Sequence, residues 1–371
     1  MKISFIGDIM LGRFVREKYE KKPYDLVDKQ VVSLFDSSDY VIANLESPIT
    51  DEEESDSLKF AGKASLLEQF DWIDFFSLSN NHINDFGEKG MEDTMFYLNE
   101  YKIGHNGLYK ERYIPITITD GINKVAIITC TDMLNYEFAD NYKYKILRVD
   151  HTLLKEIITE YKNKNYLVLL FAHVGSLFCR YPNPLIRDIL YDLVDCGTDG
   201  IITAHSHCLG GVDVYKGVPI FYSLGDFLMD GASFRRRQAC VLHLEIMNNK
   251  ISEWSVFPVN TSLDLQVVLP SIKETNKIRS GFNAVSAKIQ KHKGNYIRFF
   301  GIQYKKEMLL HSLSTLKFLY KTKGFRGLVR AFSTRFCEIK KMADRTIFGR
   351  SKMRYDSDAV SKTILTKDKI R

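Results

Sequence analysis

Six short apolar runs in the first 226 residues each hand over to a carboxylate, an amide or an imidazole. Ile3–Ile6 leads into Gly7-Asp8, Tyr40–Ala43 into Asn44-Leu45-Glu46, and Phe75–Leu78 into Ser79-Asn80-Asn81-His82. Tyr166–Ala172 leads into His173, Gly200–Thr203 into Ala204-His205-Ser206-His207, and Pro219–Leu224 into Gly225-Asp226. β-branched and aromatic residues enrich most of these runs, as buried strands require. One polar residue after a strand means little, because loops are polar. Six at the same end of six strands mark an edge, and in an open α/β sheet that edge is where ligands bind.

The intervening segments carry helical periodicity: Leu26–Phe35, Gly87–Tyr101, Thr152–Tyr161 and Pro184–Val194, the last with proline in its first turn. This alternation predicts an α/β fold with a largely parallel core. Turn signals at Asp120-Gly121, Gly217 and Asn248-Asn249 predict three hairpins, so the β-sheet layers are mixed and flanked by helices.

Charge divides the chain. The net charge of +6 averages 27 Lys and Arg against 39 Asp and Glu in residues 1–270, and 25 against 7 in residues 271–371. Two regions follow: 1–262, carrying the strand-end residues, and 263–371, basic and mainly helical, with a disordered tail expected from about residue 351. No apolar run approaches the ~18 residues of a membrane-spanning helix. The opening Met1-Lys2-Ile3-Ser4 lacks the apolar stretch and cleavage site of a secretory signal, so a cytoplasmic protein is expected. The six cysteines have no regular spacing and no CxxC, which fits reduced thiols better than a zinc–thiolate site.

Asp, Glu, Asn and His without cysteine suit Mn, Fe or Zn. One or two such ions would polarise a phosphoryl oxygen and lower the pKa of a bound water. The candidate ligands are Asp8, Glu46, Asn81, His173, His205 and His207. Each has a plainer alternative: helix capping for Asp8, pairing with Arg13 for Glu46, a turn amide for Asn81, and hydrogen-bonded structural histidines for the rest. In an extended loop, His205 and His207 would point the same way. His82 suits protonation of a leaving group. Asp85 reads first as a helix cap and second as an additional ligand.

Gly7-Asp8-Ile9-Met10-Leu11-Gly12-Arg13, Asn44-Leu45-Glu46 and Ser79–Gly87 resemble the motifs of the capsule-synthesis CapA family, and so do His173-Val174-Gly175, His205-Ser206-His207 and Tyr222–Phe227. The resemblance covers residues 1 to about 260. It implies a calcineurin-like metallophosphoesterase fold and a place in poly-γ-glutamate or capsule biosynthesis. It also implies a metal-dependent hydrolase of the phosphoester type, using metal-bound hydroxide, with the six candidate ligands around one or two divalent ions (Mn, Fe or Zn) and His82 and Arg13 as catalytic or phosphate-binding groups. Asp226 stands where the family usually has Asn and is an additional candidate ligand. Leu177 replaces a usual Glu, and Asp8 is followed by Ile9-Met10 rather than by an Asp-x-His pair. These departures support the alternative of a non-catalytic scaffold in a synthesis complex at the inner membrane face.

From Met308 to Gly349, apolar residues in helical rhythm alternate with Lys317, Lys321, Lys323, Arg326, Arg330 and Arg335. Such a region fits an anionic surface polymer or its precursor, or peripheral contact with an anionic membrane. Docking on the acidic region is the alternative. Nucleic acid is disfavoured, because no recognition signature accompanies the charge.

Overall fold

The computed structural model describes residues 1–53, 59–132, 134–136, 138–139, 141–149, 152–231, 235–317 and 320. Two compact units divide the chain, Met1–Ser312 and Leu313–Arg371. In the second unit 313–317 are helical and Lys317 is exposed. Lys321, Lys323, Arg326, Arg330 and Arg335 lie outside the described residues.

In chain order the first unit runs β1 (Lys2–Ile9), α1 (Arg13–Lys21), α2 (Lys29–Val32), β2 (Tyr40–Leu45), β3 (Phe75–Ser77), α3 (Gly87–Glu100), β4 (Gly104–Asn106) and β5 (Leu108–Tyr109). It continues with β6 (Ile116–Thr119), β7 (Lys124–Thr131), β8 (Lys145–Ile146), α4 (Thr152–Asn163), β9 (Leu167–His173), α5 (Pro184–Asp195) and β10 (Gly200–Ala204). β11 (Val212–Tyr215), β12 (Val218–Phe221), β13 (Asp226–Leu228), β14 (Gln238–Met247), β15 (Lys250–Thr261), β16 (Val267–Val268) and α6 (Ile272–Lys291) complete the named elements, and a further helix starts at 296. The charge-based boundary at 262/263 falls within this unit, to which β16 and α6 belong.

The α/β fold with mixed sheets is as the sequence predicts, but most strands divide between two large sheets, while β5 and β8 pair with each other. The first has the order β16-β15-β14-β1-β2-β3-β4, with β13 also pairing β1. The second has the order β11-β12-β10-β9-β7-β6. β1, β2 and β3 are parallel, as are β7, β9 and β10, and all three predicted hairpins form.

Period-2 alternation distributes the side chains between two faces. Ile3 and Phe5 of β1, Leu167, Leu169 and Phe171 of β9, and Ile202 of β10 share one buried cluster drawn from both sheets. Phe5 meets Phe171 edge-on with centroids 5.6 Å apart. Val168 and Leu170 of β9 instead join Leu154, Ile157 and Ile158 of α4 and Leu190 and Leu193 of α5. Burial on both faces explains why these strands read as continuous apolar runs.

Two helices differ from expectation. The stretch Leu26–Phe35 forms only α2 and a 3-10 turn over Ser33–Phe35. Val27 is instead bridged to Val267, and Asp28 caps α2 by accepting from the Gln30 N–H, so the helix starts late. α1 went unpredicted because it is short and mostly charged, with Val15 its one buried residue. Among the described residues no helix is long and apolar enough to cross a membrane.

Candidate metal centre

β12 belongs to the second sheet, whereas β13 pairs with β1 of the first. The chain changes sheets through Ser223 and Gly225, at φ 60° and 80°. A side chain at Gly225 would also meet the Gln238 carbonyl oxygen at 2.4 Å. A Cβ at Gly7 would lie 2.0 Å from the Gly225 carbonyl oxygen, so glycine at both positions lets the two segments touch and sets Asp8 beside Asp226.

Around this crossing the structure assembles two buried groups: Glu46 with His173 and His205, and Asp8 with His207 and Asp226. Within each group the ligand atoms lie within 4.8 Å of one another. The carboxylates Asp8, Glu46 and Asp226 sit at strands of the first sheet or just beyond them, and all three imidazoles come from β9 and the segment after β10. Glu46 Oε1 lies 3.6 Å from both His173 Nε2 and His207 Nε2, between the two groups.

Asn81 joins them through its side-chain oxygen, 2.7 Å from His173 Nε2. The five predicted charged or imidazole ligands, Asn81 and Asp226 therefore converge. His205 and His207 are not extended as expected. Their φ angles are 95° and 54°, a region non-glycine residues rarely adopt, with the Phe178 N–H bonded to the intervening Ser206 carbonyl at 2.8 Å.

The electrostatics favour a cation. Burial opposes charge on Asp8, but His173, with Nδ1 3.6 Å from Oδ1, together with His207 and the His205 N–H, outweighs it and holds the carboxyl down at about 2. Burial, reinforced by Asp8 and Asp226, pushes Glu46 well above the usual carboxylate range. Burial also lowers His173 and, much further, His205, keeping both imidazoles neutral as ligands must be. Both Glu46 oxygens and His205 Nε2 are buried without a hydrogen-bond partner. Such orphaned atoms are costly unless something satisfies them. The donor set, oxygen and imidazole without thiolate, fits Mn, Fe or Zn. Burial pushes the neighbouring Cys208 thiol up to about 12, consistent with its exclusion as a thiolate.

His82 flanks the centre, with Nε2 4.0 Å from Glu46 Oε1 and Nδ1 2.8 Å from Asp85 Oδ2. Asp85 is therefore not the helix cap expected. The capping position before α3 is Phe86, which makes no side-chain cap, and Asp85 lies outside both ligand groups. Its carboxylate turns instead to His82 and to the Phe60 N–H. Burial lowers the His82 pKa, and Asp85 opposes that shift. Phe60 stacks on His82 with centroids 3.9 Å apart, and the Arg13 guanidinium lies 5.0 Å from the Phe60 ring centre. Arg13 donates to Asp230 through Nε at 2.9 Å and Nη2 at 2.8 Å, and not to Glu46.

Sequence reading missed several supporting residues. Asn44 donates to Asp8 Oδ1 at 2.8 Å, and Asn80 ties itself to the Leu45 carbonyl at 2.7 Å. Asn135 accepts from Asn81 at 3.0 Å, and its amide lies 3.3 Å from His82 Nε2. Arg236 Nη2 lies 3.9 Å from Asp226 Oδ2. The run Arg235-Arg236-Arg237 was visible as charge, but nothing local connects it to Asp226.

Comparison with solved structures finds a hypothetical protein from Thermus thermophilus, with a TM-score of 0.44 and 14% identity over 70% of this chain and 98% of that one. The T. thermophilus sulfate thiohydrolase SoxB in complex with glycerol gives 0.40 and 13%, over 71% of this chain and 45% of that one. Among curated proteins, the chain is 28% identical to the PGA biosynthesis protein CapA of Bacillus subtilis (strain 168), over 70% of this chain and 71% of that protein. It is 27% identical to the capsule biosynthesis protein CapA of Bacillus anthracis, over 75% and 74%. The family model described as bacterial capsule synthesis protein PGA_cap matches residues 2–231, which contain every residue of both ligand groups, and the chain belongs to that family.

Proposed function

We propose that the chain is a metal-dependent hydrolase of the phosphoester type acting on an anionic surface polymer, such as a capsule, or on its precursor. The observation that carries this reading is Glu46: a fully buried carboxylate with no hydrogen bond to either oxygen, placed between two imidazoles that themselves belong to separate ligand groups. A divalent cation bound there would polarise a phosphoryl oxygen and supply hydroxide at neutral pH.

The chain's own residues do the rest. Asp8, Glu46 and Asp226 offset positive charge, while His173, His205 and His207 supply nitrogen donors. His82 takes a proton at Nε2 and delivers it to the leaving oxygen, with Asp85 stabilising the imidazolium through Nδ1. Arg13 positions Phe60 and, through it, the His82 ring.

The test is elemental analysis of protein purified without chelator, followed by manganese titration with an aryl phosphodiester. One or two bound ions and metal-dependent turnover, lost in His205→Ala/His207→Ala, are expected. Metal-free protein, or turnover unchanged by the double substitution, would sink the reading. One observation favours the scaffold alternative: exposed Leu177 offers no acid where the resembling family has one. Bound metal without turnover on any phosphoester would select that role.

A further inference from the structure

The helix that starts at 296 turns part of its apolar surface outward. Ile297, Ile302 and Leu309 are 69%, 58% and 61% exposed. Arg298, Ile302, Lys305 and Leu309 follow a spacing of four, three and four residues, which places them along one stripe. The opposite side is fixed to the body of the first unit: Tyr296 and Phe299 are buried, and Glu307 pairs with Arg235. Among the described residues Lys288, Arg298, Lys305 and Lys306 make no ion pair, in contrast to the many paired lysines elsewhere on this unit. A groove of about 280 Å³ opens at the start of the helix, lined by Lys288, His292, Arg298, Phe299 and Ile302. Cations at the rim and apolar side chains beside them form one amphipathic surface.

We propose that this stripe docks on an anionic phospholipid bilayer, with headgroup phosphate in the Lys288–Arg298 groove and Ile302 and Leu309 entering the acyl boundary. Charge complementarity selects this occupant. The stripe is cationic and unpaired, and the following residues 313–371 add 16 Lys and Arg against 5 Asp and Glu. Basic side chains draw the surface to an anionic leaflet, while shallow apolar insertion makes the attachment specific for a bilayer. This inference is independent of the chemistry at the metal centre.

Co-sedimentation of the full chain with phosphatidylcholine vesicles, with and without 30% phosphatidylglycerol, tests it. Binding is expected to the anionic vesicles alone. Ile302→Ser/Leu309→Ser and Arg298→Gln/Lys305→Gln should each reduce partitioning at least fivefold, whereas Lys362→Gln/Lys367→Gln, an equal loss of charge, should reduce it less than twofold. A Leu309→Trp variant should gain quenching by brominated anionic lipid over the wild-type tryptophans, a readout that needs no loss of function. Three outcomes overturn the proposal: equal losses for both charge pairs with none for the apolar pair; no added quenching; or weakened retention on soluble polyglutamate, or altered oligomeric mass, without any change in vesicle binding.

Discussion

Asp85 accepts two hydrogen bonds on one oxygen, from His82 Nδ1 at 2.8 Å and from the Phe60 N–H at 2.9 Å. A single carboxylate atom thus orients the imidazole and anchors the residue whose ring covers it. The neutral imidazole is held in the tautomer that directs Nε2 toward Glu46.

Asp85→Asn should therefore separate chemistry from metal binding. Turnover is expected to fall by about 10²–10⁴, the usual contribution of a positioned acid–base group. Metal content, measured by elemental analysis, should be unchanged, because Asp85 belongs to neither ligand group.

Glu46→Gln should move stability in opposite directions with and without metal. The Glu46 pKa is raised in the folded state, so the unfolded chain ionises first, and metal-free protein loses stability as pH rises above about 4.5. The variant escapes this loss. In chelator it should be more stable than wild type at pH 8 by about 1–3 kcal/mol, with a smaller difference at pH 5. In manganese the order should reverse. Calorimetric melting under both conditions checks the pair of signs.

Arg13 and Asp230 should be strongly coupled. Asp230 is 2% exposed, so Arg13→Ala strands a buried carboxylate, while the guanidinium is itself one-third exposed, which moderates the loss. A cost of ~1–3 kcal/mol is expected for Arg13→Ala. Arg13→Ala/Asp230→Ala should cost less than the sum of the single substitutions in urea unfolding.

His243 should make the fold acid-sensitive away from the metal centre. It is buried between strands, its ring edge-on to Phe257 with centroids 4.8 Å apart, and burial followed by Lys2 lowers its pKa to about 4. Because the folded pKa lies below the unfolded value, its contribution is complete above about pH 6.5 and declines as pH falls toward 4. His243→Phe should flatten the fall in unfolding midpoint between pH 7 and 4.5.

The strands were legible because their alternation and apolar content are local properties, and so were the hairpins, whose turn residues are equally local. Strand pairing was not. β1 pairs with β14, more than 200 residues away, and nothing in either run distinguishes partners in one sheet from partners in the other. The ligand residues could be nominated because each lies within a few residues of the end of an apolar run. Their supports could not: Asn135 and Arg236 come from segments whose positions depend on tertiary packing alone. Asp85 illustrates the same limit, since a carboxylate before a helix has an ordinary local explanation that the fold then overrides. The left-handed His205 and His207 also defy local reading, because a non-glycine residue rarely adopts that conformation without surrounding constraint.

The division of the ligands between sheets has a consequence for how the molecule comes into being. The first sheet alone would present a patch of repelling acids, and the second alone a set of buried imidazoles with nothing to offset a cation. A competent binding cavity exists only once the two halves have closed on each other. Any cation capture would then be a late event on the folding path, and a bound ion would stabilise the closed seam.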